Sequence, residues 1–163
     1  MKEQTQILVI GYGNPLRSDD GVGPRVAEAV AQLNLPGVRA LLCHQLSPEL
    51  ADPISRAHTV IFVDAAVDAP QEVQLRKLKP GASSQLLAHA ADPRTLLALA
   101  RDVFGRCPEA WWLTIPAVNT GFGEALSLET KTGFATALRR IQTLTENSRR
   151  AHAKKCQTPD NIR

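Results

Sequence analysis

Apolar and polar positions along the chain follow two rhythms, and the order in which they alternate predicts the elements. Gln6 to Ile10 carries a continuous apolar, β-branched-rich run closed by Gly11, the pattern of a strand buried on both faces. Val22, Val26, Ala29, Val30 and Leu33 then recur at helical spacing after Asp19-Asp20, until Pro36-Gly37 ends the helix. Val38 to Cys43 is a second apolar run, Pro48 to Arg56 a short helix after Ser47, and Thr59 to Val63 a third buried strand ending at Asp64. From Glu72 to Lys79 apolar and polar residues alternate, as suits an edge or antiparallel strand. Pro93 to Phe104 reads as a helix with Asp92 as its cap, and Ala110 to Val118 as a strand broken late by Pro116. A long amphipathic helix from Leu126 to Thr145 follows, begun at Ser127 and running into a basic end.

Strands alternating with helices imply right-handed crossovers, hence an α/β fold with a mostly parallel sheet and helices on both faces. At 163 residues, with no repeat or linker to divide it, the chain reads as one domain over 1–150 and a basic, frayed tail over 151–163. The longest apolar runs are far shorter than the roughly 20 residues that cross a bilayer. The opening Met1-Lys2-Glu3-Gln4 leads straight into a strand with no signal peptide, which predicts a cytoplasmic location. Cys43, Cys107 and Cys156 form no CxxC pair and read as unpaired thiols, Cys43 and Cys107 as small buried hydrophobes.

The formal charge of +3 is lopsided, and its placement decides what it implies. Residues 139–163 hold seven basic and two acidic side chains, which leaves the rest of the chain with twelve basic and fourteen acidic ones. A slightly acidic body offers no phosphate-binding face, so neither nucleic acid nor a membrane is an expected partner.

In open α/β sheets ligands gather beyond the carboxyl ends of the strands, which directs attention to the loops there. Gly11-Tyr12-Gly13-Asn14-Pro15-Leu16-Arg17-Ser18-Asp19-Asp20-Gly21-Val22-Gly23 has the look of a dinucleotide turn, but Leu16 stands where GxGxxG needs glycine. The adjacent carboxylates would also repel a pyrophosphate. Asp19 and Asp20 instead sit at a helix N-terminus, where one can cap while the other faces the crevice. Asp64 ends the third strand with no basic neighbour in sequence, and His89 lies in an apolar approach to the Pro93 helix. Of the other histidines, His44 at the end of the second strand ranks next, ahead of His58 and His152. Two carboxylates and an imidazole make a three-ligand, open-sided site whose mixture of oxygen and nitrogen suits nickel, zinc or iron(II) better than magnesium or calcium.

Gly11-x-Gly13-Asn14-x-Leu16-x-x-Asp19-Asp20-Gly21-x-Gly23 resembles the opening signature of the hydrogenase maturation proteases. The resemblance extends through His44-Gln45-Leu46-x-Pro48-Glu49-Leu50, Val63-Asp64-Ala65, His89 with Pro93, Leu96 to Arg101 with Gly105 beyond, and Phe122-Gly123-Glu124-x-Leu126-Ser127. It covers roughly Ile7 to Leu144. It implies a three-layer α/β/α fold with a twisted five-stranded sheet, and metal ligation by Asp20, Asp64 and His89. Many members of that family carry Glu where this chain has the shorter Asp20, and the loop Ala117 to Gly121 departs from the family pattern.

The resemblance further implies an endopeptidase that removes the C-terminal extension of a [NiFe]-hydrogenase large-subunit precursor after nickel insertion. On this expectation the free enzyme holds no tight metal, and nickel carried by the precursor completes its coordination on Asp20, Asp64 and His89; nothing in the sequence demands more than a monomer. The same three residues are then the catalytic ones, with Asp20 or His89 accepting the proton, since no Ser-His-Asp or Cys-His spacing suggests a covalent route. The competing expectations are a hydrolase with its own zinc and a nickel-delivery chaperone that does not cut.

Overall fold

A computed structural model describes residues 6–68, 71–82 and 92–155. Five strands form one sheet: β1 (Ile7–Tyr12), β2 (Val38–Cys43), β3 (Thr59–Ala66), β4 (Gln74–Leu78) and β5 (Glu109–Pro116). Their spatial order is β2-β1-β3-β5-β4, parallel throughout except for β4, which pairs antiparallel with β5 at the edge. The helices are α1 (Val22–Gln32), α2 (Ala51–Arg56), α3 (Pro93–Phe104) and α4 (Leu128–Lys155). The alternating pattern of Glu72 to Lys79 is thus an antiparallel edge strand, and the fold is the three-layer α/β/α architecture expected from the sequence.

The pleat of the central strands sorts their side chains between two cores. Leu8, Ile10, Val60, Phe62 and Ala110 pack with Ile54, Leu96 and Leu97 of α2 and α3. Ile7, Val9, Ile61, Val63, Leu113 and Ile115 pack with Val26 and Val30 of α1 and with Ala137 and Ile141 of α4. Because β1 and β3 are covered on both faces, their central runs, residues 7–10 and 60–63, are apolar at every position rather than at alternate ones. Asp92 caps α3 as predicted, accepting from the Arg94 N–H at 2.9 Å, with Pro93 at the first turn and Gly105 at φ +71° closing the helix.

Several boundaries differ from expectation. β1 continues through Gly11 to Tyr12 and β3 through Asp64 to Ala66, because both strands still have a partner to pair with beyond their apolar runs. The Pro48 to Arg56 helix divides into a 3-10 turn, Pro48–Leu50, and α2. α4 starts at Leu128 and continues past Thr145 to Lys155, so residues 151–155 of the expected tail are helical, and residues 156–163 lie outside the described residues. Cys43 and Cys107 are unpaired, but Cys43 is only half-buried and Cys107 is exposed, since it follows the end of α3 and precedes β5 outside both cores. Among the described residues no helix is long and apolar enough to cross a membrane.

Candidate active site

The chain leaves β1 for β2 on one side and returns as β3 on the other, so the sheet's switch point lies between β1 and β3. At such a point the connections on either side diverge and leave a crevice beyond the strand ends. Two of the acids singled out in the sequence are delivered there: Asp20 by the loop between β1 and α1, and Asp64 by the last turn of pleat in β3.

The glycines of the β1–α1 loop explain how it stays close to the sheet. Gly13 has φ +142°, and a Cβ there would lie 2.0 Å from the Asp20 carbonyl oxygen. A Cβ on Gly23 would lie 2.4 Å from the Tyr12 oxygen and 2.6 Å from that of Val63, so the first turn of α1 rests directly on the backbone of β1 and β3. A side chain at either position would push the loop, and Asp20 with it, away from β3. Within the loop the Asn14 N–H donates to Asp20 Oδ2 at 2.7 Å, and the Leu16 N–H donates to Asn14 Oδ1 at 3.0 Å. One oxygen of Asp20 is therefore held by backbone, and the residue is half-buried.

Asp64 is half-buried, and the Tyr12 hydroxyl donates to its Oδ2 at 3.0 Å. Burial pushes its carboxyl up to about 6, with a further push from the negative charge of Asp20, against the stabilising donors Tyr12 and the Ala65 N–H. That the charge of Asp20 acts on Asp64 places the two carboxylates in one electrostatic neighbourhood. Tyr12 is itself pushed up, first by burial and then by the charge and hydrogen bond of Asp64.

Asp19 does something different from either role expected of it. The first residue before α1 is Gly21 and no side chain caps that helix. Asp19 is instead fully buried and accepts four hydrogen bonds from the connection between β5 and α4. Oδ2 takes the N–H groups of Val118 (3.0 Å) and Asn119 (2.9 Å) and the Ser127 hydroxyl (2.8 Å), and Oδ1 takes the Ser127 N–H (2.7 Å). Burial would raise this carboxyl, yet the donors overcome it and hold it down at about 2. Around it Ser18, at φ +49°, donates through its N–H to the Gly123 carbonyl (2.7 Å) and through its hydroxyl to that of Gly121 (2.9 Å). The loop carrying Asp20 is thereby fastened to the loop after β5.

The two fastened loops expose apolar side chains. Leu16 is 58% exposed, Val118 64% and Phe122 91%, with the Arg17 guanidinium 5.6 Å from the centre of the Phe122 ring. His44 is exposed in the loop after β2, where the Cys43 carbonyl accepts from the Gly13 N–H at 3.2 Å. His89 lies outside the described residues. Among the described residues no group of three histidine, cysteine or acidic side chains converges as a set of metal ligands. Asp20 accepts the Asn14 N–H on Oδ2 and Asp64 accepts the Tyr12 hydroxyl on Oδ2, and the charge of the first acts on the second. Sequence reasoning missed Tyr12, which the parallel register could have revealed: Gly11 pairs with Val63, so Tyr12 comes next to Asp64 on the same face.

No protein-family model matches the chain, and no curated protein is significantly similar to it. Solved structures are. The hydrogenase maturating endopeptidase HybD from E. coli superposes with a TM-score of 0.73 at 21% identity, over 88% of this chain and 93% of that one. The [NiFe] hydrogenase maturation protease HybD from Thermococcus kodakarensis gives 0.67 at 25% identity, over 86% and 99%. The [NiFe] hydrogenase maturation protease HycI from Thermococcus kodakarensis KOD1 gives 0.66 at 23%, over 87% and 91%. The chain is thus built, along nearly its whole described length, on the fold of the hydrogenase maturation endopeptidases.

Proposed function

We propose that this chain is a hydrogenase maturation endopeptidase, which removes a C-terminal extension from the large-subunit precursor of a [NiFe]-hydrogenase once nickel has been inserted. The observation that carries the reading is the pair Asp20 and Asp64, which share the sheet's switch point on the fold of solved proteases of that name. His89 is the third ligand in this proposal. It belongs to the segment that leads into α3, and Asp92 at the start of α3 lies close enough for its charge to act on Tyr12.

Nickel here arrives as part of the substrate. Two carboxylates and an imidazole, with open positions left over, can take up a cation still held by the precursor, and docking then reports that nickel was inserted. Held by Asp20, Asp64 and His89, such a cation would supply polarisation of the scissile carbonyl or of the attacking water. Water adds to the carbonyl carbon, its proton passes to Asp20 or His89, and the leaving peptide nitrogen receives that proton as the C–N bond breaks. The exposed rim of Leu16, Val118 and Phe122 offers apolar contact to the segment being cut.

The test is incubation of purified nickel-loaded precursor with the wild-type protein and with Asp20→Asn, Asp64→Asn and His89→Ala variants, followed by mass spectrometry. A shortened product with the wild type alone, and an intact nickel-free precursor, are the expected results. Cleavage unimpaired in all three variants overturns the proposal.

A further inference from the structure

The two acids of the site are held by different means, and the difference points to a residue with a task of its own. Asp20 is steadied by a backbone N–H, which no substitution of a side chain removes. Asp64 is steadied first by a side chain, the hydroxyl of Tyr12 at 3.0 Å from Oδ2, and only second by the Ala65 N–H. The register of β1 and β3 brings Tyr12 and Asp64 together, and the tyrosine ring packs against the core cluster under α2 and α3, as do Leu41, Cys43 and Trp112. That packing supports the ring, and with it the hydroxyl, beside Asp64.

The neighbouring Trp112 closes the alternatives. Its indole nitrogen is buried, makes no hydrogen bond of normal geometry among the described residues, and lies near enough to the Tyr12 hydroxyl to act on it as a weak donor. An indole N–H only donates, so it cannot accept the tyrosine proton. Of these two polar neighbours, only Asp64 can accept it. A carboxylate pinned by one oxygen from a rigid donor presents the other oxygen in a fixed direction.

Resting on the endopeptidase reading above, we infer that Tyr12 is the positioning residue of the site: by occupying Oδ2 of Asp64 it makes that aspartate meet the precursor's nickel through a single, oriented oxygen. Partners of this kind, one shell out from a metal, commonly change affinity or activity by about 10- to 100-fold when removed.

The experiment uses the full chain labelled with ¹⁵N and Ni²⁺ alone as the probe, following paramagnetic loss of the Asp20 and Ala65 amide signals, with cleavage of nickel-loaded precursor measured in parallel. Tyr12→Phe keeps the ring and is expected to weaken nickel binding, and to lower kcat/KM, by about 10- to 100-fold while its amide spectrum remains that of a folded protein. Leu41→Ala removes packing from the same cluster and no hydrogen bond, so it lowers the unfolding midpoint and leaves nickel affinity at the wild-type value. Tyr12→Phe binding and cleaving as the wild type does, or Leu41→Ala losing as much affinity as Tyr12→Phe, overturns the inference alone. A wild type that neither responds to Ni²⁺ nor cuts the precursor overturns the endopeptidase reading and this inference with it.

Discussion

Asp19 and Asp64 are the same chemical group at the same end of the sheet, and their surroundings drive them in opposite directions. Asp19 is the more deeply buried, yet four donors gather on its two oxygens and keep it ionised, with its carboxyl down at about 2. Asp64 is more open, has fewer donors and faces a like charge, and its carboxyl rises to about 6. The contrast shows that burial alone does not decide the fate of a carboxylate. What matters is whether the donors that replace water are enough to stabilise its charge. A carboxylate that is fully satisfied, like Asp19, has nothing left to offer a ligand and acts as a fastener. One that is under-satisfied retains capacity for a cation.

The comparison is broken most severely by removing the under-satisfied acids. Asp64→Asn or Asp20→Asn is expected to lower the rate of precursor cleavage by at least about 100-fold, measured by mass spectrometry of the product, while the fold persists in circular dichroism. For the fastener the expected loss is in stability. Asp19→Ala strands three backbone N–H groups and the Ser127 hydroxyl, at a cost of about 3 kcal/mol read from urea unfolding, with cleavage failing only as far as the protein unfolds.

The pH dependence sharpens the same contrast. Asp19 titrates lower in the folded chain than the ordinary 3.8, so its contribution is complete above about pH 4 and is lost as pH falls toward about 2. Asp64 titrates higher, so the folded state binds more protons there, and its ionisation reduces stability progressively between about pH 4 and about pH 6. Asp64→Asn should therefore be more stable than the wild type at pH 7, by about 1–2 kcal/mol, with the two curves converging below about pH 4. The smallest effect is expected at the rim, where Arg17→Ala removes a cation–π contact with an exposed ring and costs under about 1 kcal/mol in the same unfolding measurement.

Much of this arrangement was legible along the chain. The run of apolar residues in β1 and β3 announced strands covered on both faces, and the alternation before α3 announced an edge strand, because each pattern follows from which faces water can reach. The glycine-spaced loop and Asp64 at the end of an apolar run pointed to the crevice. The role of Asp19 was not legible: its partners Val118, Asn119 and Ser127 are about a hundred residues away, and no local signal distinguishes a helix cap from a cross-chain clamp. Tyr12 was hidden for a related reason, since in the motif it occupies a position where any residue would do.

Local rules thus determined the elements, their order and the loops that could hold chemistry, because backbone propensity and apolar patterning act over a few residues at a time. Only the tertiary structure decided which acid fastens and which one waits. That choice depends on how many donors converge on each carboxylate and on whether another charge stands nearby, and both come from segments distant in the chain that folding brings to one end of the sheet.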